Sequence, residues 1–144
     1  MVYKAVVWDI AEIAEMAKII WKSSSYSKLT ELLKENIDSE KSAVFIAKED
    51  GRAVGFAQCS LRFDYVEGTS CSPVGYLEGI YVKPEYRHKG LAKELLNSCE
   101  NWAREKGSSE FASDCELNNC ESLAFHLEIG FSEANRIICF TKKL

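Results

Sequence analysis

Apolar positions along the chain fall into two rhythms. Ile10, Ile13, Ala14, Ala17, Ile20 and Trp21 recur at helical spacing in "DIAEIAEMAKIIW", with Asp9 as an N-cap. "SYSKLTELLKEN" reads as a second, shorter helix. "SAVFIAKEDGRAVGFAQCSLR" reads as two strands joined by an Asp50-Gly51 turn, a hairpin signal. "YKAVVW" before the first helix reads as a strand, and "FDYVEGTSCSP" as a polar loop. "VGYLEGIYV", an apolar run between Pro73 and Pro84, predicts a buried strand.

The second half predicts more alternation. "GLAKELLNSCENWAREKG" is a helix with the stripe Leu91, Leu95, Cys99 and Trp102, flanked by Ala92, Leu96 and Ala103 and closed by Gly107. "SSEFASDC" is a short strand, "NNCESLAFHLEIG" a helix ended by Gly130, and "FSEANRIICFTKKL" a last strand. The order is strand-helix-helix-strand-strand, then strand-helix-strand-helix-strand. The alternation implies parallel neighbours and the hairpin antiparallel ones, so the fold class is α/β (α+β) with a mixed central sheet flanked by helices.

Composition narrows this picture. A chain of 144 residues, 47% hydrophobic, is expected to form a single domain over residues 1–144. No apolar run is long enough to span a bilayer, and no signal-peptide pattern opens the chain. The six Cys are scattered, form no C-x-x-C pair and have only His88 and His126 for company, which argues against a metal site. They read as reduced, cytoplasmic thiols packed as small hydrophobes. A net charge of -4 argues against nucleic acid as a partner and is compatible with a cationic substrate.

One stretch carries chemistry on its own. In "YVKPEYRHKGLAKELL", Arg87, His88 and Lys89 stand just before Gly90 and the strongest helix. A strand, a Gly-containing loop and a helix N-terminus together form an anion-binding device, because first-turn N–H groups point at the ligand. The alternative is a helix entrance with solvated basic residues. The loop is neither a Walker A motif nor a dinucleotide G-x-G-x-x-G.

"V-x-P-x-x-R-x-x-G-x-A", here Val82, Pro84, Arg87, Gly90 and Ala92, resembles the acetyl-CoA signature of the GNAT N-acetyltransferases. "NCESLAFHLEIGF" resembles the downstream helix of that superfamily. The resemblance implies that N–H groups of His88, Lys89, Gly90, Leu91, Ala92 and Lys93 cradle the pyrophosphate of acetyl-CoA, with Arg87 adding charge. It also implies that Ile80, Tyr81 and Val82 hold the acetyl carbonyl and that Asn119 binds the pantetheine side.

A narrower stretch, "SLRFDYVEGTSCSPVGYLEGIYVKPEYRHKGLAKELL" with "FASDCELNN", is similar to the aminoglycoside 6'-N-acetyltransferases. That likeness implies acetyl transfer to the 6'-amine of an aminoglycoside, a homodimer, and substrate contacts from Trp21, Tyr65, Glu78, Asp114 and the position of Asn135. The alternatives are a GNAT enzyme for another amine, such as a polyamine or a peptide N-terminus, and a CoA-binding module without turnover. The likeness also implies an acid in close relatives where Asn135 stands, and Glu133, two residues earlier on the same face of the expected last strand, is the compensating candidate.

Several of these residues have two readings. Glu78, a carboxylate in an otherwise apolar strand, faces either a cleft or a structural ion pair; the following Gly79 suggests a bulge or a close backbone approach. Asp114 binds a substrate amine or serves as a turn or N-cap acid. Trp21 is core or substrate wall, and Tyr65 is surface or substrate contact. Glu78 is the first candidate for the base that deprotonates the amine and Asp114 the second. His126 stands where many superfamily members place a Tyr. It either protonates the leaving thiolate or is a packed structural histidine.

Overall fold

The computed structural model describes residues 1–144. Five strands make one sheet in the order β1-β2-β3-β4-β5: Val2–Lys4, Ser42–Glu49, Arg52–Arg62, Val74–Val82 and Phe111–Ala112. The four α-helices are α1 (Ile10–Ile20), α2 (Tyr26–Asp38), α3 (Leu91–Glu105) and α4 (Cys120–Glu128). β1 to β4 pair antiparallel, and β4 pairs with β5 in parallel.

Period-two alternation sorts the strand side chains between two cores. On one face Phe45, Ala47, Ala57, Cys59 and Leu77 meet Leu91, Leu95, Leu96, Cys99, Trp102 and Ala103 of α3. On the other, Val44, Ile46 and Phe56 meet Ile13, Ala14 and Ala17 of α1 and Leu29 and Leu33 of α2. The α3 stripe expected from the sequence is a buried seam; of the expected α1 stripe Ile13, Ala14 and Ala17 are buried, Ile10 and Trp21 are half-buried and Ile20 is exposed. The β2–β3 hairpin turns at Asp50 (φ 48°) and Gly51 (φ 75°), as the Asp-Gly pair demands.

Three expectations change. The first strand stops at Lys4, and Val7–Asp9 forms a 3-10 turn running into α1. Asp9 does not cap that helix with its side chain. Its carboxylate accepts the Val6 N–H at 3.0 Å and lies 3.0 Å from Lys48 Nζ. A buried acid gains more from a cation and an N–H than from an exposed cap.

β5 is only Phe111–Ala112. The expected last strand, residues 131–144, does not form. No backbone group from Ser132 to Leu144 bonds to another backbone group of the chain, and Ile137, Ile138 and Phe140 are exposed. A strand requires a neighbour, and this chain offers none to that segment. Asn135 and Glu133 therefore do not share a strand face.

Candidate functional site

The site begins where the sheet forks. β4 and β5 pair only at Gly75–Phe111 and Tyr76–Ala112. β4 then runs on to Val82 with a strand partner on its β3 side alone. In the fork, Ser113 Oγ lies 3.4 Å from the Leu77 carbonyl and 2.8 Å from His126 Nε2 of α4. His126 Nδ1 lies 2.7 Å from the Ser122 carbonyl, which can only accept. The ring proton of neutral His126 therefore sits on Nδ1, and Nε2 accepts from the Ser113 hydroxyl. Phe131 packs against the ring at 5.3 Å between centroids.

Next to the fork, β4 carries a bulge. Gln58 pairs with Gly79 and Cys59 with Leu77, so Glu78 is the extra residue. The bulge aims its carboxylate out of the regular ladder. Ser60 Oγ donates to Glu78 Oε1 at 2.5 Å, and Arg62 Nη2 reaches both carboxylate oxygens at 3.1 and 3.0 Å. The Arg62 guanidinium also lies over the Tyr76 ring, 3.5 Å from its centroid. Tyr76 Oη donates to Asp114 Oδ2 at 2.5 Å. Both acids thus join one network across β3, β4 and the segment after β5.

Burial, reinforced by the hydrogen bond to Asp114, pushes the Tyr76 hydroxyl up, so it stays a donor. Partial burial works against the Arg62 charge, but hydrogen bonding to Glu78 outweighs it and raises the guanidinium further. Glu78 is both ion-paired and reachable, with a quarter of its side chain (26%) exposed. Asp114 caps nothing: the N-cap of α4 is Asn119, whose side chain accepts the Ser122 N–H at 3.1 Å. That leaves the Asn119 amide nitrogen for any ligand.

Trp21, the C-terminal cap residue of α1, lies against the backbone of Gly79 and edge-on to Phe56. A side chain at Gly79 would strike the indole, which explains the glycine after Glu78. Tyr65 is exposed in the 63–73 loop, outside this network, as is Asp64. The loop is pinned by Glu110, which accepts from Ser70 N–H, Ser70 Oγ and Cys71 N–H. The Ser70 N–H above all holds that carboxyl below its usual range. Asn135 donates to Glu67 at 2.8 Å, and Glu133 is taken up by Arg136.

The entrance to α3 presents a row of donors. N–H groups from His88 to Lys93 have no acceptor within the chain; the first bond of the helix is Glu94 N–H to Gly90 at 3.0 Å. His88 (φ 60°) and Gly90 (φ 87°) are both left-handed, which curves the loop into a concave row of amides. Space around Gly90 is open. Arg87 braces the loop by donating from Nε to the Val82 carbonyl at 2.8 Å. Lys89 lies over Tyr86, and the Leu91 side chain is buried, so Leu91 offers only its N–H. Of the strand residues, Val82 is buried while Ile80 and Tyr81 are half-buried. No three or more His, Cys, Asp or Glu side chains are grouped to hold a metal ion.

Sequence reasoning missed Ser60, Arg62, Tyr76 and Ser113. The signal was available for three of them. With the hairpin register known, Ser60 and Arg62 alternate on one face of β3 opposite Tyr76 on β4.

Comparison with known proteins agrees with this geometry. The "Acetyltransferase (GNAT) family" model matches residues 13–131. An aminoglycoside N(6')-acetyltransferase type 1 of Acinetobacter haemolyticus is 40% identical over 131 residues, covering 90% of this chain and 89% of that protein. One of the same description from Salmonella typhimurium strain LT2 is 43% identical over 109 residues, covering 76% of this chain and 75% of its own. Crystal structures superpose closely. The aminoglycoside 6'-N-acetyltransferase AAC(6')-IG of Acinetobacter haemolyticus, without ligand, gives a TM-score of 0.95 at 34% identity, over 100% of this chain and 99% of its own. AAC(6')-Iy in complex with the bisubstrate analogue CoA-S-monomethyl-acetylneamine gives 0.95 at 34%, over 100% and 98%. A forked mixed sheet, an amide-lined helix entrance and a family match over most of the length lead to one conclusion: the chain belongs to the GNAT acetyltransferase family.

Proposed function

We propose that this protein is an aminoglycoside 6'-N-acetyltransferase, moving an acetyl group from acetyl-CoA directly to the 6'-amine of an aminoglycoside. The observation that carries the reading is the acid network of Glu78 and Asp114 lying beside the unpaired edge of β4. An aminoglycoside offers several ammonium groups and sugar faces. Carboxylates with the rings of Trp21 and Tyr76 suit both.

The chain fits acetyl-CoA at the α3 entrance. Free N–H groups from His88 to Lys93 suit a diphosphate, and Gly90 leaves room for it. Arg87 and Lys89 add positive charge there. The Asn119 amide nitrogen and the β4 edge at Ile80 to Val82, which lacks a strand partner on that side, suit the pantetheine arm; the Val82 carbonyl is already taken by Arg87. When bound, acetyl-CoA supplies a thioester whose acetyl group an amine can take directly. Glu78 takes the ammonium proton, directly or through water. Asp114 holds a second amine. A β4 N–H steadies the carbonyl oxygen as charge develops. In its doubly protonated form His126 gives the Nε2 proton to the Ser113 oxygen as the Ser113 hydroxyl proton passes to the departing sulfur, which leaves the ring neutral with its remaining proton on Nδ1. Most of the rate comes from holding amine and thioester together.

The reading includes a cytoplasmic homodimer. All six cysteines are free, but only Cys59 and Cys99 are packed as buried small hydrophobes; Cys115, Cys120 and Cys139 are exposed, against the expectation for all six. The C-terminal arm from Ser132 exposes Ile137, Ile138 and Phe140 and makes no backbone–backbone bond, and a second copy of the sheet is the partner that would pair with it. Light scattering should find a dimer for the full chain and a monomer for Ile138→Lys; a monomeric full chain contradicts the assembly.

Thiol release from acetyl-CoA tests the function. Kanamycin at micromolar concentration should drive release far better than spermidine or an unblocked peptide. Equal or better turnover of spermidine overturns the substrate assignment. Acetyl-CoA binding without any turnover overturns the activity and leaves only a binding module.

A further inference from the structure

Glu78 already holds a cation. Arg62 forks onto both oxygens of Glu78 and lies flat on Tyr76, 3.5 Å from the ring centroid. One carboxylate and one aromatic face are what a site offers to a cationic guest. Tyr76 is fixed in that role, because its hydroxyl is spent on Asp114. Arg62 is not fixed in the same way. It is the last residue of β3, with the 63–73 loop beginning directly after it. Its side chain is 43% exposed. A guanidinium so placed is held weakly enough to be exchanged, unlike a fully buried pair.

We propose that Arg62 is a resident cation standing in the ammonium subsite of Glu78, which the substrate must displace, and that it thereby selects acceptors carrying several ammonium groups over acceptors carrying one. The proposal rests on the reading of Glu78 as a substrate carboxylate. A single ammonium exchanges one cation for another on Glu78 and gives up a forked, stacked contact in doing so. A polycation makes a further direct contact with Asp114, to which Arg62 has no hydrogen bond. Displacement therefore costs a monoamine most of its binding and a polycation little. The competing role is a fixed strut that orients Glu78 and never leaves it.

Two measurements separate these. The first compares kanamycin with methyl 6-amino-6-deoxyglucopyranoside, which carries only the reacting amine. In Arg62→Met, kcat/KM for the monoamine should rise about tenfold through a lower KM, the equivalent of one charge-assisted hydrogen bond. Kanamycin should change by less than about threefold, within the spread of exposed ion pairs. Arg62→Lys keeps the charge without the fork or the stack and should fall between. A parallel loss for both acceptors, carried by kcat, overturns the proposal and makes Arg62 a strut.

The second measurement needs no variant, so a folding defect in Arg62→Met cannot mask the answer. In wild-type protein with 15N-labelled arginine, the Arg62 Nε–H resonance should move when kanamycin is added without acetyl-CoA. A resonance that stays in place while kanamycin saturates other signals overturns the exchange. If wild-type protein neither binds nor acetylates kanamycin, the aminoglycoside reading itself fails, and this inference with it. Turnover of kanamycin with an unmoved Arg62 signal sinks the inference alone.

Discussion

Replacing Gly79 with alanine isolates the contact that shapes the site wall. A Cβ at Gly79 would lie 2.5 Å from Trp21 Cζ2, 2.9 Å from Cη2 and 3.1 Å from Ile20 Cδ1. Carbon atoms in contact rest about 3.5–4.0 Å apart, so the indole has to withdraw by roughly 1 Å. Overpacking of this kind costs about 1–3 kcal/mol. Trp21 is half-buried and its ring meets Phe56 edge-on at 6.0 Å, so it can give way. That places the cost at about 1–2 kcal/mol, part of it the weakened aromatic pair.

Urea unfolding of wild type, Gly79→Ala, Trp21→Ala and the double variant measures the coupling. Without the indole, Gly79→Ala should cost less than about 0.5 kcal/mol, since Ile20 is the one remaining close neighbour. In enzyme assays Gly79→Ala should raise KM for kanamycin more than it lowers kcat. An equal stability cost in both backgrounds would refute the claim that Trp21 sets the requirement for glycine beside Glu78.

Glu78→Gln should lower kcat for kanamycin about 10²-fold, the low end for a general base. Asp114→Asn should act mainly on KM; the reverse pattern in steady-state kinetics would exchange their roles. Gly90→Ala places a side chain at φ 87°, which should cost about 1–2 kcal/mol in a thermal melt and weaken CoA in calorimetry; unchanged CoA affinity would detach the loop from the ligand. Lys48 joins Asp9 and Glu12 at 3.0 and 2.8 Å. Burial alone would raise the Asp9 carboxyl, but the Val6 N–H and Lys48 bring it below its usual range, and Lys48 first and the Ala53 N–H second lower Glu12. A depressed folded pKa gives stability that is present above the unfolded values near ~4 and lost as pH falls through the folded ones. Lys48→Met should therefore cost about 1–2 kcal/mol at pH 7, discounted for the exposed Glu12, and progressively less as pH falls below ~4 in chemical unfolding; a cost independent of pH would remove the carboxylates from the account.

Much of this was legible in the chain because local signals agreed with the fold. The Asp50-Gly51 pair set the hairpin, and the α3 stripe from Leu91 to Ala103 became a buried seam. Gly79 after Glu78 marked both a bulge and a close neighbour. What escaped depends on register or on partners remote in sequence. Arg62 meets Tyr76 and Glu78 only through the β3–β4 ladder, and Ser113 meets His126 only through the fork. Asp9 looked like a cap because nothing local announced Lys48. The segment 131–144 read as a strand because "RIICF" is apolar, and apolarity states that a neighbour is needed without stating which chain provides it. Asn135, expected on that strand, instead holds Glu67.

A crystal of the protein grown with CoA and kanamycin tests the central claim most directly. The account predicts the diphosphate against the N–H groups of His88 to Lys93 and the 6'-amine within about 3.2 Å of the Glu78 carboxylate or of a water bound to it. A diphosphate docked elsewhere, or a 6'-amine turned away from Glu78 and Asp114 alike, would contradict it.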